Sequence, residues 1–173
     1  MKLTIFLVLL CFFSTGQAQP DVRAWSKVEK PTATRIAQSI GKYTSGCLRG
    51  AATLARNGQG YQVMRLSRTR YYGHPDLVRF IQKMGQTAQN QRLGTLLIGD
   101  KGLARGGPTL TGHRSHQTGL DVDIWYLLAR EAEKRELSLS ERENWGAPSV
   151  LTAKEDGINP AQWSPANEQI LEV

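Results

Sequence analysis

Gly112-His113-Arg114-Ser115-His116-Gln117-Thr118-Gly119-Leu120-Asp121-Val122-Asp123-Ile124-Trp125 is the stretch from which the rest of the chain is read. Gly112 and Gly119 bound a polar loop, and the residues after Gly119 alternate. Leu120, Val122 and Ile124 fall on one side of an extended strand, Asp121 and Asp123 on the other. A strand with one apolar face and one carboxylate face packs on a core while presenting a site. The chain has three His in all, and His113 and His116 both lie in this loop. Imidazole and carboxylate are zinc ligands, and a loop-to-strand turn brings His116 and Asp123 to one metal. A single His serves equally well as an ordinary hydrogen-bonding residue; the clustering with same-face carboxylates favours the metal. Asp121 either hydrogen-bonds a ligand imidazole from behind or holds the loop.

Upstream, Tyr61-Gln62-Val63-Met64-Arg65 alternates and reads as a strand. His74-Pro75-Asp76 is a helix start: His74 caps, Pro75 suits the first position, and Asp76 favours the N-terminus. Leu77, Phe80, Ile81 and Met84 recur at helical spacing as one buried face, in a helix from Pro75 to about Asn90. Thr95 to Ile98 reads as a buried strand, and Gly102, Gly106, Gly107 and Pro108 as a long loop leading to the site. Residues 19–35 read as an irregular arm, and 36–60, with five glycines, as turns. Leu127 to Arg142 is charged with weak apolar periodicity, a solvated helix or loop excursion. Val150 to Thr152 reads as a short strand, Asp156-Gly157 as a turn, and Ser164-Pro165 as a helix opening. Tyr71 and Tyr72 are read as core packing, and Arg105 and Arg114 as solvated charge.

Composition bounds the function class. Hydrophobic residues make up 40% and charged residues 21%, which is globular and not disordered. Lys2, the apolar run Leu3–Phe13 and the small residues around Ala18 form a secretory signal over residues 1–18, too short to span a bilayer. No membrane span is expected once it is removed. Loss of Lys2 with this leader lowers the formal charge of +7 by one, and the remaining basic excess favours polyanionic surroundings. Charge alone does not choose among cell-wall polymers, lipid head groups and nucleic acid. Of two Cys, Cys11 leaves with the leader, so Cys47 is either a free thiol or lacks its partner.

Ser115-His116-Gln117-Thr118-Gly119-Leu120-Asp121-Val122-Asp123-Ile124 resembles the signature of the penicillin-insensitive murein endopeptidases, related to the lysostaphin, D-Ala-D-Ala metallopeptidase and hedgehog-like zinc peptidases. The resemblance extends through Gln38–Gly41, Gly60–Arg65, Tyr72–Val78 and Leu97–Asp100, and so covers most of residues 38–125. It implies an α+β fold with a small antiparallel sheet, flanking helices and long loops. It also implies zinc held by His116 and Asp123, with His113 an additional ligand at or beside the metal. The implied reaction is hydrolysis of D-alanyl-diaminopimelate cross-links in peptidoglycan, in the periplasm, with no nucleic-acid partner. Asp156 matches a position that binds a second metal in the family, but Asn159 stands where that site wants a His.

The sequence also departs from the family. The family completes its site with a His-x-His pair, and no His follows His116. The catalytic residues of that pair are therefore not assigned to any position here. Together with Cys47, which the family pairs downstream, and the helix opened at Ser164, this sets an expectation that the domain continues past Val173. Residues 19–173 are then an incomplete zinc peptidase domain, inactive by itself. The alternative is a non-catalytic peptidoglycan- or metal-binding remnant.

Overall fold

The computed structural model describes residues 21–111, 114–126 and 130–172. Residues 1–18, expected to be a leader, and His113 lie outside the described residues. The Asp21 carboxylate accepts from the Arg23 N–H and starts a short helix, α1 (Val22–Ser26). The expected arm thus contains one helical turn. It is tied down by Trp25, whose indole N–H donates to Gly106 O at 2.6 Å.

The glycine-rich region expected to be turns is instead a hairpin, β1 (Gln38–Lys42) and β2 (Ser45–Arg49), paired from Gln38↔Arg49 to Lys42↔Ser45. Its residues are mostly exposed, so it carries little of the apolar alternation that marks a strand. Two short pairings follow. β3 (Ala52–Thr53) pairs antiparallel with β6 (Tyr72–Gly73). β4 (Asn57–Gly58) pairs antiparallel with β5 (Tyr61–Val63). Next come α2 (Pro75–Asn90), β7 (Leu96–Ile98), β8 (Ile124–Trp125), α3 (Arg130–Lys134), α4 (Leu139–Asn144) and α5 (Pro165–Leu171).

The largest sheet has the order β4-β5-β7-β8. β5 and β7 run parallel in it, and its other pairings are antiparallel. Parallel neighbours need a crossover, and α2 supplies it. The whole is the expected α+β domain of small sheets and flanking helices.

The long helix forms as read. His74 Nδ1 accepts from the Asp76 N–H and Pro75 occupies the first turn. Its buried face is Leu77, Val78, Ile81, Met84, Gly85 and Ala88. Phe80, expected on that face, is 57% exposed, because Val78 takes its place on the core side. These residues pack on Leu54, Tyr61, Val63, Leu96 and Ile98. Each fully buried aliphatic side chain contributes about 1.5–3 kcal/mol. Helix and sheet approach closely at Gly60, whose φ is +71° and where a Cβ would lie 1.9 Å from Gly85 O.

Leu97 points to the other sheet face and packs with Met64, Ala132 and Leu137, beside Trp125 and Trp145. Both faces of β5 and β7 are therefore covered, and Gln62 is buried along with Tyr61 and Val63. The alternation read over 61–65 does not separate core from solvent for this reason. The 127–142 excursion is likewise not simply solvated where it is described. Arg142 is 1% exposed, and its guanidinium donates to Leu137 O, Val63 O, Arg56 O, Asn57 Oδ1 and Gln62 Oε1. Gln62 Nε2 donates to Ala132 O and Arg135 O, at 2.9 and 2.8 Å. A polar lock thus fastens α3 and α4 to the sheet, which no hydrophobic period would reveal. Downstream, Leu151 and Ile158 form a single bridge around the Asp156 turn, and Ser164 and Asn167 form a reciprocal cap for α5.

Candidate metal centre

The segment read as a strand from Leu120 to Trp125 pairs as one only at Ile124 and Trp125, against Ile98 and Leu97. Before that, Asp123 N–H donates to Asp100 O at 3.0 Å, and Gly99 N–H donates to Asp123 O at 2.7 Å. These bonds fix the facing. Val122 and Ile124 pack against the core, whereas Asp121 and Asp123 turn toward the loop. Leu120 is 56% exposed and is not part of the apolar face.

His116 is 4% exposed and adopts a left-handed φ of +66°, a conformation that costs a non-glycine residue of order 1 kcal/mol. The cost is met by a set of anchors. Asp121 Oδ2 accepts from the His116 backbone N–H at 3.0 Å. Gln117 N–H donates to Tyr43 O, and Gly107 N–H to Gln117 O. The Gln117 side chain accepts from Gly46 N–H and donates to Thr44 O and Arg114 O. Ser39 Oγ donates to Thr118 O, and His74 N–H to Gly119 O. The β1–β2 hairpin and the start of α2 thus hold the loop. Gly106 has φ +60°, and a Cβ there would lie 2.0 Å from Gln117 O; only glycine lets the two loops approach so closely.

Both carboxylates face the His116 ring. Asp121 Oδ2 lies 2.7 Å from Nδ1, and Asp123 Oδ2 lies 3.5 Å from Nε2. Asp121 thus anchors the loop through the His116 N–H and also faces the Nδ1 side of the ring. Burial, the largest influence, pushes the imidazole's pKa down. The Asp123 hydrogen bond and the charges of Asp121, Asp123 and Asp100 outweigh it, and the net shift is upward.

The donor set suits zinc. Two atoms bound to one tetrahedral zinc lie about 3.3 Å apart, close to the 3.5 Å between His116 Nε2 and Asp123 Oδ2. A carboxylate on the far ring nitrogen is the usual support of a zinc-bound imidazole. Among the described residues no group of three or more His, Cys, Asp or Glu converges to hold a metal. His113, the third expected ligand, lies outside them. Asp156 sits elsewhere: it is exposed, and its Oδ1 accepts from Thr152 Oγ1 at 2.6 Å within its own turn. Cys47 is a half-buried free thiol.

Several contributors were not singled out in the sequence. Asp100 is 3% exposed and its Oδ2 accepts from Arg68 Nη1 and Arg70 Nη1, both at 2.8 Å. Lys101 is fully buried, its Nζ 3.4 Å from Gly99 O, and burial pulls its pKa down to about 8 against the opposing charge of Asp100. The signal for these was the density of charge in Arg65–Arg70 and Asp100-Lys101, next to strands too apolar to lie at a surface.

A buried imidazole between two carboxylates, in a loop held against a small sheet, defines a candidate metal centre. Residues 39–173 match the family model for penicillin-insensitive murein endopeptidase. The chain is 38% identical over its whole length to the penicillin-insensitive murein endopeptidase of Klebsiella pneumoniae strain 342, of which it covers 61%. It is 48% identical over 75% of its length to that of Salmonella paratyphi C, covering 46% of that protein. With the Haemophilus influenzae protein of the same name it shares 44% identity over 72% of its length, covering 43% of it. The chain belongs to the penicillin-insensitive murein endopeptidase family. It spans between 43% and 61% of the length of these curated relatives.

Proposed function

We propose that the protein is a zinc-dependent murein endopeptidase, exported by its N-terminal leader to the periplasm, which hydrolyses D-alanyl-diaminopimelate cross-links of peptidoglycan. The observation that carries the reading is the buried His116 set between Asp121 and Asp123 in a chain of this family. His116 and Asp123 hold the metal with His113, and when bound, zinc supplies a polarised water and a Lewis acid for the amide carbonyl. The Asp121 carboxylate keeps the proton of His116 on Nδ1, so that Nε2 presents its lone pair beside Asp123. The loop anchors exclude water behind the ring, where His116, Gln117 and Thr118 are all buried.

The absence of any His after His116 favours a second reading for these 173 residues taken by themselves. On that reading they hold metal and contact peptidoglycan without turning it over. One experiment separates the two. The 173-residue protein, freed of its leader, is titrated with zinc by calorimetry and incubated with cross-linked muropeptides, with products followed by mass spectrometry. Zinc binding lost in His116→Ala, with cleavage of the D-alanyl-diaminopimelate bond that a chelator abolishes, is the outcome for the enzyme. Zinc binding with intact cross-links is the outcome for the binding remnant. Zinc affinity indifferent to His116→Ala sinks both.

A further inference from the structure

An open cavity of about 260 Å³ is lined by Asp123, Trp125, Arg65 and Arg68, together with Asp100, whose carboxylate is already held by Arg68 and Arg70. Its charge comes from the run Met64-Arg65-Leu66-Ser67-Arg68-Thr69-Arg70. Leu66–Arg68 is a single 3₁₀ turn, and the residues flanking it, Arg65 and Thr69, both have φ of +53°. Non-glycine residues hold this conformation only when their surroundings fix it. Arg65 N–H donates to Arg142 O at 3.0 Å, and Ser67 binds Glu143 through its N–H and hydroxyl. Both Arg65, which leads into the turn, and Arg68, which ends it, line the cavity.

The three arginines are not equivalent. Arg70 is buried, and its donors go to Asp100 and Thr111. It offsets the Asp100 charge. Arg68 gives one nitrogen to Asp100 and its side chain is 44% exposed. The Arg65 guanidinium lies 5.3 Å from the centre of the Trp125 ring and gives Nη2 to Trp145 O at 3.1 Å. A guanidinium has five N–H donors. Among the described residues, each of these two therefore keeps unused donors in the cavity that Asp123 lines. A planar fork of this type is matched by a carboxylate, bidentately.

We propose that Arg65 and Arg68 form a subsite for a free carboxylate of the substrate peptide, one placed next to the bond that is cut. The inference rests on the proposed peptidase reading for the identity of the substrate, and on the cavity alone for its preference for a carboxylate. Arg65 is a specificity residue and not a metal ligand: its contact with the Trp125 ring and its bond to Trp145 O hold the guanidinium, and Arg68 adds the second charge.

The test compares the wild-type 173-residue protein with Arg65→Gln, Arg65→Lys and, as a control on the exposed side of the long helix, Arg79→Gln. The probes are a soluble D-alanyl-diaminopimelate-linked muropeptide with the diaminopimelate carboxylate beside the linked amine free, and the same muropeptide with that carboxylate as its amide, with affinities for the zinc-free protein read by calorimetry. Zinc affinity is measured in parallel. Wild type and Arg79→Gln are expected to bind the acid about tenfold more tightly than the amide. Arg65→Gln loses that discrimination, and Arg65→Lys regains only part of it, because it restores charge without the fork. Zinc affinity is unchanged in all. Equal binding of acid and amide by wild type overturns the subsite, and this comparison needs no variant to fold. Discrimination that survives Arg65→Gln, in a protein with a native thermal melt, also overturns it. Failure of the peptidase reading looks different: acid-over-amide preference persists while zinc binding is indifferent to His116→Ala.

Discussion

Asp121→Asn tests the centre most directly, because it keeps the shape of the side chain and removes its charge. In the native protein one oxygen, Oδ2, faces both the backbone N–H of His116, at 3.0 Å, and its Nδ1, at 2.7 Å. An amide oxygen still accepts one of these bonds but no longer carries the negative charge that makes the imidazole a stronger donor to a metal. Loss of such a supporting carboxylate lowers metal affinity by about 10–100-fold, which is about 1.4–2.7 kcal/mol. The pH dependence has a definite sign. A ligand imidazole must shed its proton to bind zinc, and Asp121 is one of the charges that hold the His116 pKa above its ordinary value. In the variant the imidazole titrates lower, so the proton competes less. The loss of affinity is therefore largest at high pH, where proton competition is weakest, and smaller toward low pH. Calorimetric zinc titrations at several pH values measure the ratio. A variant that binds zinc as tightly as wild type at pH 8, or a ratio that grows toward low pH, refutes the reasoning.

Arg142→Met removes a guanidinium that serves three backbone carbonyls and two side-chain amides. It should destabilise the protein by about 3 kcal/mol or more, read as a lower urea midpoint; a shift worth under 1 kcal/mol contradicts the polar lock. Ile81→Ala, at a fully buried position, should cost about 2–5 kcal/mol, while Phe80→Ser, at a residue 57% exposed, should change stability by about 0.5 kcal/mol or less. Equal effects would mean that the helix is rotated from the face described. In the zinc-free protein the raised pKa of protonated His116 contributes stability fully present below the unfolded value of about 6.5. That stability is lost as pH rises through the folded value. The difference in urea midpoint between wild type and His116→Gln should shrink from pH 5.5 to 8.5, and a difference that widens is the contrary result.

How much was legible in the sequence depended on whether the cue was local. The start of the long helix was written into His74-Pro75-Asp76, and its end fell where expected. The facing of Asp121 and Asp123 followed from a period of two, even though only the last two residues of that segment pair as a strand. Phe80 was misplaced because Leu, Val, Phe and Ile at 77, 78, 80 and 81 offer two overlapping helical stripes, and only packing chooses between them. The 38–49 hairpin was missed because an exposed hairpin buries too little to show alternation. The roles of Gln62 and Arg142 could not be read, since their partners lie far along the chain, and a buried polar residue resembles a surface one until its acceptors are known. Arg65 and Arg68 reach the Asp123 cavity for the same non-local reason.

The Gln117 amide, clasped by Gly46, Thr44 and Arg114, has a consequence for portability. The loop around His116 keeps its shape because a hairpin some seventy positions upstream grips it. A synthetic peptide of residues 112–125 would carry the signature without the grip, and it would relax out of the left-handed turn at His116. The unit that evolution or an engineer could transplant is therefore not the ten-residue signature but the signature together with its distant clasp. An insertion at the hairpin tip would be felt at the histidine.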